Sequence, residues 1–239
     1  GGAVSLTFNH VFVMIEFQVV GSGELTQIRL GGANPLACEG TIDLTQTPGE
    51  TSYTITKSNT SNNVTVTLTS AVTLSGSAVS VYMMILPGAQ SENLQIAVKI
   101  DGNWKEMSKP QPDGGFVRGK KYLVTLNTAG AGWNAAIQDS RDSQIYQYKT
   151  IGTQVWMTEN LAYLPSVVGP ATESYTEPHY YVYGYDGTNV TAAKATTNYN
   201  KYGVLYNWPA ALTACPDGWH LPSDAEWTQL EEYLIANGY

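Results

Sequence analysis

The 239-residue sequence predicts a mainly β chain, with an N-terminal Greek-key β-sandwich followed by a C-terminal α+β domain. Three observations support this prediction. Apolar and polar residues alternate with period two through most of residues 4–128, which is typical of strands with one buried face. Closely spaced Gly, Pro and Asn turn signals separate these runs. A single well-capped amphipathic helix pattern follows near the end of the sequence.

The first domain is predicted to span residues 1–128 and to contain about seven to nine strands in two sheets. In the first long strand every second residue from Val11 to Val19 is apolar, and Glu16 and Gln18 belong to the opposite, solvent-facing side. Later strands show the same alternation, at Val64, Val66 and Leu68, and at Leu94, Ile96, Val98 and Ile100. Turn signals between strands include Gly21-Ser22-Gly23, Pro48-Gly49, Pro87-Gly88 and Asp113-Gly114-Gly115.

An Ala- and Gly-rich segment, residues 129–137, is predicted to be a linker in which Trp133 packs against one domain. The second domain is predicted to span residues 138–239. Its helix begins after Pro222, because Ser223 and Glu226 have the spacing of a capping box. Helical spacing then predicts one apolar face and a glycine terminator, formed by Trp227, Leu230, Leu234 and Gly238.

The charge balance argues against nucleic acid as a partner. The chain carries 12 Lys and Arg against 20 Asp and Glu, a net charge of −8. Residues 1–137 contribute −1 of this and residues 138–239 contribute −7, so the two domains differ in surface chemistry. Phosphate binding needs clustered basic side chains, which are scarce here. The sequence also lacks a run of about 18 apolar residues, so we predict no membrane span.

Two cysteines, Cys38 and Cys215, lie in different predicted domains. An interdomain disulfide is possible, but two buried thiols are the favoured interpretation, because one pair so placed does not make a disulfide framework. No Cys and His spacing typical of a metal site occurs. We therefore predict no metal and no cofactor.

The strongest indication of a ligand surface is the tyrosine-rich string HYYVYGYDG. Tyrosine rings stack on sugar rings and bring a hydroxyl for hydrogen bonding. Neighbouring polar side chains, including Asn198, could bond to sugar hydroxyls. The predicted ligand-binding residues are Tyr180, Tyr181, Tyr183, Tyr185, Asp186 and Asn189. The competing interpretation is a strand whose tyrosines pack on the domain core. For calcium, the surroundings of Asp186 are the nearest candidate, but they lack an acidic cage.

Other notable side chains favour structural roles. Four tryptophans of the second domain are predicted to pack in its core: Trp156, Trp208, Trp219 and Trp227. His220 is predicted to be a structural histidine, although Asp217 and Asp224 lie nearby in sequence. No nucleophile elbow, phosphate loop or Ser/His/Asp set is present, so the sequence does not predict an enzyme.

Several strings in the second domain resemble the Fibrobacter-type major paralogous domain, which occurs on surface proteins of Bacteroidetes. They are IGTQVWMTENL, YGVLYNW and CPDGWHLPSDAEW, within about residues 139–239. The last string is also similar to the LPTEAEW pattern of sulfatase-modifying-factor domains. The resemblance implies a C-type-lectin-like fold. Because family members usually run past the helix, it also implies that the domain is incomplete at its C-terminal end.

An ordered set of strings in the first domain is similar to the N-terminal domain of Bacteroidales fimbrillins: LTFNHVFVMIEFQV, GTIDL, VYMMILPGAQSENLQIAVKIDG and FVRGKKYLVTL. This resemblance implies export as an outer-membrane lipoprotein precursor and assembly into a fimbrium on the cell surface. In the family, proteolysis removes a first strand, and a strand of a neighbouring pilus subunit fills the groove. Strand addition of this kind satisfies unpaired backbone groups and covers apolar side chains.

The combined interpretation is an extracellular fimbrial tip adhesin. Its first domain would accept a donor strand, and its second would contact a glycan or a host or microbial surface protein. The tip position is expected because the chain ends in a compact domain and would have no strand to donate. An alternative is a purely structural pilus cap or anchor subunit without its own ligand. A third hypothesis, from the sulfatase-modifying resemblance, is a copper-dependent oxidoreductase, but only Cys215 lies in the relevant half.

Overall fold

The computed structural model describes residues 11–42 and 55–239. It is mainly β, as predicted, and it divides into two compact units, Gly1–Trp133 and Asn134–Tyr239. In the segment predicted to be a linker, the Trp133 indole donates to the Asn127 carbonyl (2.8 Å) and packs against the core of the first unit. Residues Asn134–Gln138 of the second unit form a strand. In the described parts of the chain no helix is long and apolar enough to span a membrane.

The first unit contains nine strands among the described residues, within the predicted number. They are β1 (Val13–Val20), β2 (Ser22–Gly31), β3 (Ala37–Ile42), β4 (Ile55–Ser61), β5 (Asn63–Ser75), β6 (Val79–Ile85), β7 (Leu94–Ile100), β8 (Asn103–Lys109) and β9 (Lys121–Asn127). The turn predicted at Pro48-Gly49 and the first residues of the predicted first strand string, up to His10, lie outside the described residues.

Two sheets pack face to face in this unit. One has the strand order β6-β1-β9, and in the other β8, β7, β2 and β5 follow in that order. Their inward side chains form one apolar cluster, which includes Phe17 of β1, Ile28 of β2 and Val98 of β7. Strands β3 and β4 form a separate antiparallel pair. The sandwich predicted from the alternation is therefore confirmed.

One pairing departs from the simple antiparallel pattern. Strand β1 pairs with β6 antiparallel but with β9 parallel, in a register that places Phe17 opposite both Val81 and Val124. A parallel pair requires a long connection between its strands, and here the chain between β1 and β9 crosses both sheets. Alternation identifies a strand and its faces but not its partner, so the sequence did not indicate this pairing.

Glu16 behaves differently from the solvent-facing residue that the alternation predicted. It does lie on the outer face of β1, but only 7% of its surface is exposed. Lys121 forms an ion pair with it, and the Ser80 hydroxyl donates to its carboxylate (2.7 Å). The hydrogen bond from Lys121 is the main reason that the pKa of Glu16 is lowered. The outer face of this small sheet therefore carries an ion pair in which the carboxylate is covered and the lysine is exposed.

The second unit is built from short elements. They are β10 (Asn134–Gln138), β11 (Ile145–Ile151), β12 (Gln154–Met157), β13 (Tyr180–Tyr181), α1 (Val190–Lys194), α2 (Thr197–Tyr202), β14 (Leu205–Tyr206), α3 (Trp208–Ala211) and α4 (Asp224–Ala236). Strands β10, β11 and β12 pair antiparallel in succession, and β13 pairs antiparallel with β14. The unit is α+β, as predicted.

Tyrosines and small side chains fill the core of the second unit. Tyr146 and Tyr199 are buried, and both of their hydroxyls bond to the backbone of Ala162: the Ala162 amide donates to Tyr146 (3.1 Å) and Tyr199 donates to the Ala162 carbonyl (2.8 Å). Burial raises the pKa of both phenols. Both hydroxyls are paired, so neither is left unsatisfied in the core.

The turn between β10 and β11 is held by an ion pair whose carboxylate is buried. Asp139 is 1% exposed, and Arg141 contacts both of its carboxylate oxygens, at 2.9 Å from Nε and 2.6 Å from Nη2. The guanidinium also donates to the Ala214 carbonyl (2.7 Å) and stacks on the Tyr163 ring (3.8 Å to its centroid). This one residue therefore joins three separate segments of the unit.

Both cysteines carry free thiols and are half-buried, rather than fully buried as the favoured interpretation expected. Burial raises the pKa of the Cys215 thiol, which keeps it protonated at neutral pH.

Candidate ligand-binding site

The tyrosine-rich string forms a strand followed by a tight turn. Strand β13 supplies Tyr180 and Tyr181, and the chain then reverses where the Tyr185 amide donates to the Val182 carbonyl (3.0 Å). Gly184 takes the left-handed conformation in this turn, with φ +71°. Because glycine adopts positive φ without steric cost, the turn can place Tyr183 at its tip. Tyr183 is 62% exposed.

The other predicted ligand residues have varied surroundings. Tyr180 is buried against the Tyr206 ring (centroids 5.7 Å apart). The hydroxyls of Tyr181 and Tyr185 donate to the carbonyls of Thr172 (2.6 Å) and Asn189 (3.1 Å). The side chain of Asn189 also caps α1 by accepting from the Ala192 amide (3.0 Å), and Asp186 is exposed beside Gly169. A ligand-binding role for these residues stays a prediction.

Tyr183 has an aromatic partner that the sequence did not indicate. The ring of Tyr202, at the end of α2, lies 6.0 Å from it at an interplanar angle of 82°. Tyr202 is 43% exposed, and the Lys201 ammonium lies 5.1 Å from its ring centroid. Nineteen positions separate the two tyrosines, so only the fold brings them together. We call Tyr183 and Tyr202 the aromatic corner.

The backbone on both sides of the aromatic corner is anchored. The Asn198 side-chain amide donates to the Tyr183 carbonyl (2.9 Å), and the Asn160 side-chain amide donates to the Tyr202 carbonyl (3.1 Å). Gly203 then ends α2 with φ +69°. The two rings are exposed, yet the backbone positions that carry them are held by hydrogen bonds.

The prediction that all four tryptophans pack in the core was wrong. Trp208 is 67% exposed and Trp227 is 49% exposed. Trp156 and Trp219 are half-buried, with their rings against Trp227 (4.8 Å) and Tyr148 (5.9 Å). Because tyrosines and small residues already fill the interior, the indoles lie around its periphery.

Helix α4 begins as predicted but is less buried than predicted. The Ser223 hydroxyl accepts from the Glu226 amide (3.3 Å), and the Ser223 amide donates back to the Glu226 carboxylate (2.8 Å). Glu226 also bonds His220 (2.7 Å), so His220 has a structural partner. No residue of α4 is buried, although an apolar face through Leu230 and Leu234 was predicted.

No group of three or more His, Cys, Asp or Glu side chains that could hold a metal ion occurs in residues 11–42 and 55–239. The surroundings of Asp186 therefore provide no acidic cage within the described residues.

Comparison with protein families gives two matches along the chain. The family described as fimbrillin-like matches residues 1–140, and the family described as the Fibrobacter succinogenes major domain matches residues 150–239. Both predicted resemblances are confirmed. No curated protein matches the chain.

Two solved structures are similar to part of the chain. A candidate cell adhesion protein from Bacteroides uniformis matches at 15% identity and TM-score 0.39, over 60% of this chain and 53% of that one. A candidate cell adhesion protein from Bacteroides ovatus matches at 14% identity and TM-score 0.33, over 59% of this chain and 46% of that one. The chain thus spans about half the length of the solved structures it matches.

Proposed function

The chain belongs to the fimbrillin-like family, and from this premise we propose that it is a cell-surface fimbrial tip adhesin. Its first unit accepts a strand from another pilus subunit, and its second unit, with a C-type-lectin-like fold, contacts a glycan or protein ligand. The precursor is an exported outer-membrane lipoprotein. No catalytic step belongs to this function.

The observation that carries the proposal is the unequal covering of two edge strands. Among the described strands, β6 and β9 each pair only with β1. The inward residues Val81, Met83 and Ile85 of β6 are buried. By contrast, Tyr122 and Val124 of β9 pack against the same core but remain half-buried, and of the inward residues of β9 only Leu126 is buried. With respect to residues 11–42 and 55–239, strand β9 therefore combines an unpaired edge with apolar side chains that an added strand would cover.

The geometry of β9 suits strand addition. Its seven residues pair with β1 without a register shift, so the outer edge offers a regular row of backbone donors and acceptors. An added strand would satisfy that row and insert alternate side chains toward the core. Four or five inserted side chains, at about 1.5–3 kcal/mol each, would make the joint long-lived.

Strand β5 is the competing acceptor. It pairs only with β2 among the described strands, and Val64, Val66 and Leu68 are half-buried against the core. However, its pairing with β2 contains a register shift, so its edge is a less regular template. We therefore place the donor strand beside β9.

Hydrogen exchange tests the position of the added strand. The full chain is compared alone and with synthetic peptides of alternating apolar sequence that mimic the terminal strands of pilus subunits. Protection is expected in residues 121–127. Protection confined to residues 63–75 would place the donor beside β5 instead. If neither strand gains protection in the presence of any peptide or in assembled fibres, strand addition is refuted.

A pair of variants tests whether the peptide binds through the inner or the outer face of β9. Val124→Lys places a charge among the core-facing side chains and is expected to abolish peptide binding. Thr125→Lys is the matched control, because Thr125 is exposed on the opposite face of the same strand. Equal binding by both variants would show that the inward face is not used.

The position and role of the protein are tested on cells. Immunogold labelling is expected at fibre ends, and labelling along the whole shaft would rule out a tip subunit. Adhesion of cells with and without the second unit then separates an adhesin from the purely structural cap. Equal adhesion would favour the structural function.

A further inference from the structure

We propose that the aromatic corner is a carbohydrate-binding site, and that Lys201 gives it a preference for sugars that carry a carboxylate. This inference rests on the proposed adhesin function and assigns that function a ligand class and a position. It also replaces the tyrosine string as the centre of the site, because Tyr183 is the only member of that string that belongs to the corner.

The first argument is the exposure of two large rings whose hydroxyls are unused. Within the described residues, neither Tyr183 nor Tyr202 donates or accepts a hydrogen bond through its hydroxyl, whereas Tyr181, Tyr185 and Tyr206 all donate to backbone carbonyls. The unit therefore has ways of using tyrosine hydroxyls internally, and it does not use them at the corner. Both phenols remain available to an external partner.

The second argument is shape. Two rings at 82° make an angled surface, in which a ring-shaped ligand can lie on one face and touch the other ring with its rim. Sugar rings have an apolar face of C–H groups and a polar rim of hydroxyls. The face can stack on one phenol, and the rim can bond to the tyrosine hydroxyls.

The third argument is pre-organisation. Asn198 and Asn160 hold the two backbone carbonyls, and glycines at 184 and 203 supply the positive φ angles that end the turn and the helix. A site whose parts are already positioned loses less conformational entropy when a ligand binds. This matters for a sugar, because its contacts are individually weak.

The surroundings favour a sugar over a protein partner. Protein-binding hot spots are fully desolvated and are surrounded by contacts that exclude water. Along the chain the two tyrosines are flanked by Val182, Gly184, Lys201 and Gly203, and the apolar one of these, Val182, is buried and adds nothing to a rim. A small polar ligand with one apolar face fits these neighbours better than a large apolar surface does.

Lys201 supplies the preference for acidic sugars. Residues 138–239 contain only four basic side chains, Arg141, Lys149, Lys194 and Lys201, against eleven acidic ones. One of these four lies beside an exposed aromatic pair, with its ammonium 5.1 Å from the Tyr202 centroid. A carboxylate on a sugar stacked at the corner can pair with this ammonium, and that contact should weaken with salt.

The test begins with the full chain on a glycan array that contains matched neutral and acidic glycans, such as lactose and sialyllactose. Binding is expected, with a preference for the acidic members that declines as salt is raised. Silence across the array would overturn the inference. Fibre incorporation is measured in parallel, so that failure of the corner is distinguished from failure of the adhesin function.

Variants then locate the site by calorimetric titration with the glycans that bind. Tyr183→Ala and Tyr202→Ala are each expected to lower affinity at least tenfold, and Tyr183→Phe is expected to lose less because it keeps the ring. Tyr175→Ala is the matched control, since Tyr175 is 92% exposed and lies outside the corner. Unchanged affinity in both corner variants would refute the assignment even if they fold normally.

Lysine variants test the acidic preference separately. Lys201→Ala should reduce affinity for acidic glycans several-fold and leave neutral ones unchanged. Lys194→Ala is its control, because Lys194 lies over the buried Tyr199 ring instead. Adhesion lost in Tyr183→Ala but insensitive to enzymatic removal of target glycans would identify a protein partner and overturn the carbohydrate assignment.

Discussion

Removing the charge of Asp139 should destabilise the second unit selectively. The substitution Asp139→Asn keeps the size of the side chain and one carbonyl oxygen but abolishes the ion pair with Arg141. Asp139 is 1% exposed, while the Arg141 side chain is 28% exposed. The variant therefore leaves a partly exposed guanidinium without its counter-charge.

The expected loss in the free energy of unfolding follows from the exposed fractions of these two side chains. Removing one partner of a fully buried pair costs about 3–5 kcal/mol. Here Arg141 can still reach solvent, it keeps its bond to Ala214, and asparagine keeps one acceptor. We therefore expect a loss of about 2 kcal/mol in the free energy of unfolding at pH 7, below the buried-pair range.

The effect should depend on pH with a definite sign. Burial raises the pKa of Asp139, but the hydrogen bonds from Arg141 outweigh it and hold the pKa below its ordinary value. In the unfolded chain the pKa of this carboxyl is about 3.9. The contribution of the pair is therefore present above about pH 4 and disappears as the pH falls through the folded pKa. The stabilities of the two proteins should converge in acid.

Amide hydrogen exchange of the full chain measures this loss. Residues 145–151 report on the second unit, and residues 94–100 in the first unit serve as an internal reference. Asp217→Asn is the control, since Asp217 is exposed. A loss below about 0.5 kcal/mol, the range of ordinary surface substitutions, or an equal loss in both units, would refute the reasoning.

Two further predictions concern helix ends in the same unit. Hydrogen bonds from the Ser223 backbone and hydroxyl, and then from His220, lower the pKa of Glu226 to about 2. The stability that the ionised Glu226 contributes is therefore present above about pH 4.3 and is lost as the pH falls toward 2. The Ser223→Ala substitution should raise the pKa of Glu226, as measured by NMR titration, and Glu231→Gln is the control variant. An unchanged pKa in Ser223→Ala would contradict the capping box. At Gly203 an added Cβ would lie 2.7 Å from the Leu161 carbonyl oxygen, whereas at Gly218, which also has positive φ, it would meet nothing within 4 Å. In chemical denaturation, Gly218→Ala should lower the free energy of unfolding by about 1–2 kcal/mol, and Gly203→Ala should lower it clearly more. Equal losses would show that the clash at Gly203 is relieved.

The elements of the first unit could be read from local pattern because a half-buried strand imposes a period of two. The inward row of β1 from Val13 to Val19 is buried as the alternation predicts. The covered state of Glu16 could not be read in this way, since it depends on Lys121 from a strand more than a hundred positions away. Alternation identifies the face of a residue, but it does not identify what lies on that face.

At the candidate site, too, local pattern indicated some residues and tertiary contacts added others. The composition of the string around Tyr183 indicated one of the two segments that form the proposed site. The structure shows that Tyr180 and Tyr185 of this string are packed or hydrogen-bonded within the unit. Tyr202 was not among the predicted ligand-binding residues, because nothing in its own motif, YGVLYNW, indicated a ligand. The four tryptophans were misjudged because hydrophobic character does not reveal how much core is already filled.

The sequence was enough to predict the two family resemblances and their order along the chain, the mainly β character of the first domain, and the N-cap of helix α4 at Ser223. These features depend on residues close together in the chain, such as a capping box or an alternating strand. The folded structure was needed to establish the parallel partner of β1, the ion pair between Glu16 and Lys121, and the contact of Tyr183 with Tyr202. Each of these is a contact between distant segments, and such contacts depend on how whole elements pack rather than on the residues beside them.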